Sequence, residues 1–383
     1  MLPEGMTSDL EIGKRPTLSK FNPNFVADLG PLIGDHYLSW LPFCREAVLS
    51  TVGELAHPGR VEEDFGLIAS ELQIARVESV WINPLRTYLQ RSGKLLRPYI
   101  VCFCLEAYGR NPRDWPRQVA IAEIIHSSSL IMDDIIDDSF SRRGAPSAHQ
   151  MVGARIAGSA ASAWLNFIFA IVYRDRARLG TQTASRIIEQ ISWEHAVTGV
   201  GQVLDVGWSL LGGQRTRWPY LQGVVHRSTA YTYRMPFKLG ALTAGAPDAD
   251  VEQLALYAER IGIAFQIIDD ILNVKPADAH WGKEFAEDIS QGKFTLQVII
   301  ALERAQPDKA ARLREILNSH TAERTVLAEA VAIIEETGAF DECKRLAHSF
   351  IEEAKRSVSQ LSISDLFRRR LQAFADYVVE RRR

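Results

Sequence analysis

Four aspartates lie almost side by side in one apolar stretch of the sequence, HSSSLIMDDIIDDSFSRRG. They are Asp133, Asp134, Asp137 and Asp138. Carboxylates this close repel one another, and burial removes the hydration that stabilises their charge. The cluster therefore raises its own pKa values and opposes folding. This pattern predicts a compensating positive charge nearby.

A second apolar segment, FQIIDDILN, repeats the pattern with Asp269 and Asp270, followed by Asn273. On a helix, residues i and i+4 point the same way, which pairs Asp133 with Asp137 and Asp269 with Asn273. Oxygen ligands of this kind suit Mg²⁺, whose other positions are filled by water and phosphate oxygens. A lone DDxxD is more simply explained by an exposed acidic helix end. Two copies inside apolar helices instead predict two helices that face one diphosphate with its Mg²⁺ ions.

Basic residues accompany both acidic segments. They are Lys94 and Arg97 in SGKLLRP, Arg142 and Arg143 after the first segment, and Lys283 and Lys293 in GKEFAEDISQGKFT. Each of them alone is explained by a solvated surface charge. Together they predict two anion sites, one bridged by metal and one bound directly by lysine and arginine.

The elements that must position these residues are helical. Apolar residues recur at helical spacing along most of the chain, and no alternating strand pattern of useful length is present. We predict one large all-α domain of ten or more helices over residues 36–383, with residues 36–80 as a helical N-terminal extension. Residues 1–35 hold four prolines and little periodicity, which predicts a loosely ordered arm.

The composition of the chain limits which kinds of binding partner are expected. The chain has 383 residues and a formal net charge of −3, so no basic excess is available for nucleic acid. The arginines near the C-terminus, 368–370 and 381–383, are explained by solvated helix ends.

Four cysteines without a CxxC pair, and no signal-like N-terminus, predict a cytoplasmic location. The longest uncharged run, residues 156–173, contains Ser, Gly and Asn and predicts a core helix rather than a membrane span.

Taken together, the motifs resemble those of the trans-isoprenyl diphosphate synthases. They are GKxxRP, HxxSLxxDDxxD followed by RRG, GQxxD, FQxxDD, and GKxxxxD with a further GK. The resemblance runs from about residue 93 to about residue 295 and is closest to geranylgeranyl diphosphate synthases. It implies an all-α helical bundle of the isoprenoid synthase type around a central cavity. It also implies Mg²⁺-dependent condensation of isopentenyl diphosphate with an allylic diphosphate, and a homodimer.

The resemblance also implies a role for each matching residue. The Mg²⁺ ligands are Asp133, Asp134, Asp137 and Asp269, with Asp270 in support. The allylic diphosphate is bound by Arg142, Lys283 and Lys293. Isopentenyl diphosphate is bound by Lys94, Arg97, His126 and Arg143. Gln266 and Thr229 lie near the reacting carbons, and Gln202 and Asp205 of GQxxD have a structural or supporting role.

Three positions depart from the family pattern. Leu95 replaces an arginine that already varies among members, and Asn273 replaces the last aspartate of the second motif. Ser228 replaces a lysine expected on the allylic diphosphate. The preceding Arg227 could substitute, although one residue on an α-helix rotates a side chain by about 100°.

Product length is predicted from the residues before the first acidic motif. Ser129 and Ser128 stand four and five residues before Asp133, about 6 to 7.5 Å deeper along the helix. Small side chains there leave a tunnel for the growing chain open, which predicts a product longer than C15, most simply C20. The bulky residues Trp164, Phe167 and Phe169 could close the tunnel elsewhere, although ordinary core packing accounts for them more simply.

Two other functions share some of these features. A class I terpene cyclase also uses DDxxD and Mg²⁺, but it does not need the isopentenyl site of Lys94, Arg97 and Arg143. A non-catalytic subunit of a heteromeric synthase would accommodate Ser228, but such subunits lose parts of the acidic motifs. Incubation with geranylgeranyl diphosphate alone should give a hydrocarbon only from a cyclase, and failure to elongate any allylic diphosphate with Mg²⁺ present would favour the non-catalytic subunit.

Overall fold

In a computed structural model, the chain forms a bundle of helices with its two acidic segments at the centre. The structure describes residues 23–55, 78–91, 93–211, 216–275 and 285–381. An all-α fold is confirmed, because helices account for almost all of the regular structure in these ranges.

The helices fall into two runs on either side of residue 175. The first run is α1 (Pro23–Asp28), α2 (Gly30–Leu55), a π-helical turn (Glu78–Ile82), α3 (Asn83–Gln90), α4 (Leu96–Ala107), a 3₁₀ turn (Pro112–Asp114), α5 (Pro116–Ile136), α6 (Ala148–Val152) and α7 (Ala154–Arg174). The second run is α8 (Arg176–Leu179), α9 (Thr181–Leu211), α10 (Arg217–Gly223), a long π-helix (Val224–Arg234), α11 (Met235–Ala244), α12 (Asp248–Val274), α13 (Glu287–Ser290), α14 (Leu296–Arg304), α15 (Pro307–Ser319), α16 (Arg324–Glu336), α17 (Ala339–Ser357) and α18 (Asp365–Glu380).

The two helices that carry the acidic motifs, α5 and α12, are the core of the bundle. Helix α5 begins with Pro116 at a position where the missing N–H costs nothing, and α12 begins with Asp248 and Asp250 near its positive dipole end. Helix α5 packs against α2 and α7, while α12 packs against α17 and the long π-helix. Both are buried on most sides, as is typical of helices in the core of a large domain.

The predicted arm over residues 1–35 is wrong for its second part. Helices α1 and α2 begin at Pro23 and Gly30, and Phe25 and Leu29 are buried in the core. The prolines here stand in the first turns of helices, where no N–H is needed, so they mark helix starts rather than disorder.

Helix α2 packs against α4, α5 and α18, so the described part of the predicted N-terminal extension belongs to the main bundle. The rest of the predicted arm, residues 1–22, and the segment 56–77 lie outside the described residues.

A small hairpin follows α5. Strands β1 (Ser141–Arg142) and β2 (Ala145–Pro146) pair antiparallel, with Arg142 opposite Ala145. The two turn residues, Arg143 and Gly144, have φ values of +52° and +74°, as in the tight turns that join twisted strands. The glycine of the RRG motif is therefore a turn residue, and the turn directs both arginines back toward α5.

Helix α7 covers the longest uncharged run. In the described part of the chain, it is the one helix long and apolar enough to cross a membrane, although a core helix passes the same test. Trp164, Ile168 and Ile171 on α7 are fully buried, and Trp164 donates a hydrogen bond to the carbonyl of Trp81 at 3.0 Å. These contacts agree with the prediction of a core helix.

Candidate active site

The two acidic helices line one cavity of about 890 Å³. Asp133 of α5 lies on one wall, and Asp269 and Asp270 of α12 lie on another. Helix α9 and the long π-helix supply the remaining polar walls, and Lys293 closes one side from the segment after α13. The folded chain therefore brings together the two motifs that the sequence predicted to share a cavity.

The aspartates of the first motif have different surroundings. Asp133 faces the cavity, whereas Asp134 is fully buried and does not line it. The carboxylate of Asp134 accepts hydrogen bonds from the Tyr88 hydroxyl at 2.5 Å and from Nε of Arg142 at 2.9 Å. Asp137 caps the exposed end of α5. Direct metal binding by Asp134 is thus a prediction that its placement does not support.

Burial raises the pKa of Asp133 to about 6. The nearby carboxylates Asp137 and Asp134 raise this pKa further, and the guanidinium groups of Arg227 and Arg142 oppose the rise. A half-buried carboxyl with carboxylate neighbours is ready to accept a cation.

Both carboxylates of the second motif line the cavity, and Asp270 is also held by its neighbours. The Asp270 carboxylate accepts hydrogen bonds from the Tyr220 hydroxyl at 2.6 Å and the Gln266 amide at 2.7 Å. Burial, together with the nearby Asp288, raises the pKa of Asp270 to about 7. Asn273 accepts a hydrogen bond from the backbone N–H of Asp288 at 3.1 Å, so it anchors the segment that leads to Lys293.

Asp269 has a partner that the sequence predicts at the surface. Arg381, expected at a solvated helix end, is 6% exposed. Its guanidinium donates to the Asp269 carboxylate at 3.0 Å and to the carbonyl of Phe265 at 3.1 Å, and it lies 3.7 Å from the Phe265 ring centroid. The expectation for Arg381 is wrong because the last helix, α18, returns the chain to the cavity wall. Only three-dimensional contacts reveal this.

The RRG hairpin sends its two arginines to different carboxylates. Arg142 lines the cavity and is held by Asp134. Arg143 does not line it; its guanidinium donates to the carbonyl of Tyr88 at 3.3 Å and lies 3.7 Å from the buried Glu123. A Cβ on Gly93 would lie 2.8 Å from the Arg143 guanidinium, so any larger residue there would have to displace the end of that side chain.

The other residues predicted to bind isopentenyl diphosphate lie in different surroundings. Arg97 lines the cavity and donates to the Thr232 hydroxyl at 3.0 Å. His126 stacks on Tyr231, and burial, followed by the charge of Arg97, lowers its pKa well below the usual value, so it is neutral. Lys94 does not line the cavity; its ammonium lies 4.5 Å from the ring centroid of Phe25.

Of the remaining residues predicted near the reacting groups, some line the cavity and others do not. Lys293 lines the cavity, 3.4 Å from Asp288, and Gln266 lines it as well. Lys283 lies outside the described residues. Thr229 is fully buried against Gly262 of α12, and its neighbour Ser228 lines the cavity instead. The placement predicted for Thr229 is therefore corrected.

Of the two residues predicted to set product length, only Ser129 lines the cavity. Ser128 is fully buried and faces away. Trp164 and Phe167 pack with Trp81, which agrees with ordinary core packing.

Several site residues carry no sequence signal of their own. Tyr88, Tyr220 and Glu123 hold the charged groups of the motifs. A lone tyrosine or glutamate on an apolar helix is just as typical of a helix that has no part in a site. The acid of GQxxD does carry a signal: Asp205 lines the cavity and forms an ion pair with Arg227.

In the described part of the chain, no three His, Cys, Asp or Glu side chains converge as a preformed metal cage. The cavity instead offers carboxylates spread over several walls, with cationic side chains around them. Such a site can bind a diphosphate together with its metal ions, because the phosphate oxygens supply the missing ligands.

Comparison with known proteins agrees with this arrangement. The pattern that describes polyprenyl synthetases matches residues 78–334. The chain belongs to the polyprenyl synthetase family. This polyprenyl synthetase is therefore a trans-prenyltransferase, as its motifs predicted. It is 34% identical to the short chain isoprenyl diphosphate synthase of Methanothermobacter thermautotrophicus over 76% of this chain and 86% of the relative. It is 32% identical to the geranylgeranyl diphosphate synthase of Methanosarcina mazei over 81% of this chain and 92% of the relative.

Solved structures of isoprenyl diphosphate synthases have the same fold as this chain. The geranylgeranyl pyrophosphate synthetase of Pyrococcus horikoshii superposes with a TM-score of 0.75 at 25% identity, over 88% of this chain and 95% of that one. A decaprenyl diphosphate synthase from Rhodobacter capsulatus gives the same TM-score and identity over 92% and 100%. The isoprenoid synthase fold around a central cavity is thus confirmed.

Proposed function

We propose that this enzyme condenses isopentenyl diphosphate with an allylic diphosphate and releases geranylgeranyl diphosphate as its main product. The observation that carries the proposal is the single cavity that Asp133 and Asp269 line from facing helices. Relatives named as geranylgeranyl diphosphate synthases support the product, and relatives named for farnesyl and heptaprenyl products show that chain length varies among similar proteins.

Mg²⁺ fits the donors of this cavity. Asp133 and Asp269 offer hard oxygen ligands, and the raised pKa of Asp133 means that burial outweighs the stabilisation from nearby guanidinium groups. When bound, Mg²⁺ would withdraw charge from the departing diphosphate. Asp134 and Asp270 are already held by tyrosine hydroxyls and contribute by fixing Arg142 and Gln266.

The protein side chains favour ionisation of the allylic C–O bond. Arg142 and Lys293 face the cavity and stabilise negative charge as the diphosphate departs. Arg97 faces the cavity and places the second diphosphate so that the isopentenyl double bond attacks the allylic cation. A proton is then lost, and the released diphosphate is the available base.

The apolar lining protects the cation. Leu130, Met132, Leu165 and Phe265 line the cavity beside the charged groups. These side chains exclude water, which would otherwise capture the allylic cation. They also offer a surface for the prenyl tail.

Product analysis tests the proposal. Purified protein is incubated with Mg²⁺, isopentenyl diphosphate and dimethylallyl, geranyl or farnesyl diphosphate, and we expect a C20 diphosphate. An Asp133→Asn variant is the inactive control, and Asp35→Asn on the exposed face of α2 is the matched control for loss of a carboxylate. Absence of elongation would overturn the proposal. A hydrocarbon formed from geranylgeranyl diphosphate alone would favour a terpene cyclase.

We also propose that the enzyme is a cytoplasmic homodimer. Helix α9 exposes Trp193, Val200 and Leu204, which share one face at helical spacing and are each more than half exposed. All four cysteines are buried thiols without a disulfide bond, which suits a reducing compartment. Light scattering should give twice the chain mass, and Trp193→Asp with Val200→Asp should give the monomer. A wild-type monomer would contradict the proposal.

A further inference from the structure

The cationic groups on the cavity walls do not have equivalent surroundings. In the described ranges, the lysine and arginine side chains on these walls are Arg97, Arg142, Arg227 and Lys293. Arg142 is bound to the buried Asp134, and Arg97 is bound to a threonine hydroxyl. Arg227 is the cation whose charge acts most strongly on Asp133.

Arg227 is held in place by the acid of GQxxD. Its Nη1 forms an ion pair with Asp205 of α9, and Asp205 lines the same cavity. A guanidinium has five N–H donors in a rigid fork, and this ion pair uses one nitrogen. The fork can therefore bind a second anion on the cavity side while Asp205 fixes its position.

Close packing of the two helices makes this pairing possible. A Cβ on Gly201 would lie 2.7 Å from the backbone nitrogen of Arg227 and 2.8 Å from Cβ of His226. Only glycine allows α9 to approach the π-helix so closely. Asp205 stands one helical turn after Gly201 and so reaches the arginine directly.

The π-helix makes it easier for Arg227 to face the cavity together with its neighbour. Arg227 and Ser228 both line the cavity, although adjacent residues on an α-helix diverge by about 100°. A π-helix closes its hydrogen bonds from i to i+5 and turns less per residue. The charge that Ser228 lacks can therefore be supplied one position earlier.

We propose that Arg227 binds the diphosphate of the allylic substrate beside Asp133, and that Asp205 is the counter-ion that positions it. This inference rests on the proposed function, because it names a residue for the allylic half of the same cavity. It assigns the GQxxD motif a task in orienting a substrate-binding cation.

Binding of inorganic pyrophosphate with Mg²⁺, measured by calorimetry, tests the inference without turnover. We expect Arg227→Gln to weaken binding about 10- to 100-fold, since a charge-assisted contact is lost. Arg227→Lys should retain most of the affinity. The matched control is Arg186→Gln. Arg186 lies near the other end of α9, and its loss removes an ion pair with Asp248 of α12. Affinity of Arg227→Gln within twofold of wild type would overturn the proposal.

A double variant separates substrate binding from a structural role. Arg227→Gln/Asp205→Asn removes both charges of the ion pair, so the free energy of unfolding should recover while pyrophosphate affinity stays low. Recovery of both would show that the pair only joins two helices and would overturn the proposal. If Arg227→Gln alone does not fold, the double variant and Arg227→Lys give the same decision.

Steady-state kinetics extend the test. Asp205→Asn should raise KM for the allylic diphosphate and leave KM for isopentenyl diphosphate unchanged. An equal rise of both constants would contradict a positioning role for Asp205. The wild type could fail to elongate any primer while Arg227→Gln still weakens pyrophosphate binding. The proposed function would then fail, and the role of Arg227 in binding a diphosphate would stand.

Discussion

At the scale of single residues, adjacent aspartates of one motif have opposite tasks. Asp133 faces the cavity, while Asp134 is buried and held by Tyr88 and Arg142. Asp269 and Asp270 both line the cavity, and Tyr220 holds Asp270 as Tyr88 holds Asp134. The first member of each pair suits metal binding, and the second fixes a side chain that faces the substrate.

In the metal-free protein, the free energy of unfolding should depend on pH through the carboxyl group of Asp133. Because burial raises its pKa from 3.8 to about 6, the folded protein binds this proton more tightly than the unfolded chain. The contribution to stability is therefore full below about pH 4 and is lost as the pH rises through 6. At pH 7.5 with EDTA, Asp133→Asn should raise the free energy of unfolding by about 1 to 3 kcal/mol, with a smaller gain near pH 4.

Denaturant unfolding at several pH values measures this effect. The surface variant Asp35→Asn, on the exposed side of α2, should change stability little at any pH. A stability loss in Asp133→Asn at pH 7.5 would contradict the account, because it would mean that the carboxylate is already well compensated.

Product length should depend on Ser129 and not on Ser128. Ser129 lines the cavity one turn before Asp133, so Ser129→Phe should block the path of the growing chain and shift the product from C20 toward C15. Ser128 faces the core, so Ser128→Ala should leave the product unchanged. Chromatography of the dephosphorylated products measures both, and an unchanged product from Ser129→Phe would show that another wall sets the length.

At the scale of elements, the site depends on close helix contacts at two glycines. Gly201 lets α9 meet the π-helix, and Gly262 lets α12 meet Thr229, whose side chain would lie 2.4 Å from a Cβ at that position. These contacts align the walls that carry Asp205, Arg227 and Asp269.

Gly201→Ala should therefore destabilise the enzyme. The new methyl group would collide with backbone at 2.7 Å, and backbone cannot move as a flexible side chain can. We expect a loss of about 1 to 3 kcal/mol in the free energy of unfolding, measured with denaturant. Gly207→Ala on the same helix, with no atom within 4 Å of its Cβ, is the control and should be neutral or slightly stabilising. Equal behaviour of the two variants would contradict the packing argument.

Helical periodicity is sufficient to predict the all-α class and the two acidic helices, because apolar spacing and DDxxD depend on local sequence. The prolines of α1 and α2 lead to a wrong prediction, since proline favours both disordered segments and first helical turns. The π-helix cannot be predicted either, because its register depends on packing against α9 and α12.

At the scale of the whole molecule, the cavity joins parts of the chain that are far apart in sequence. Asp133 and Asp269 are separated by many helices, and Arg381 reaches Asp269 from the last described position. The types and spacing of the two aspartates predict a shared cavity, whereas the partners Tyr88, Tyr220 and Arg381 require the folded arrangement. Long-range contacts of this kind leave no periodic trace in a sequence.

The central claim is that Asp133 and Asp269 jointly bind one metal-complexed diphosphate. The most direct measurement is a crystal structure with Mn²⁺ in place of Mg²⁺ and inorganic pyrophosphate, in which anomalous scattering locates each metal ion. The account predicts metal ions between the two aspartates, bridged by the same pyrophosphate. Metal ions on one wall only, or pyrophosphate bound outside this cavity, would contradict it.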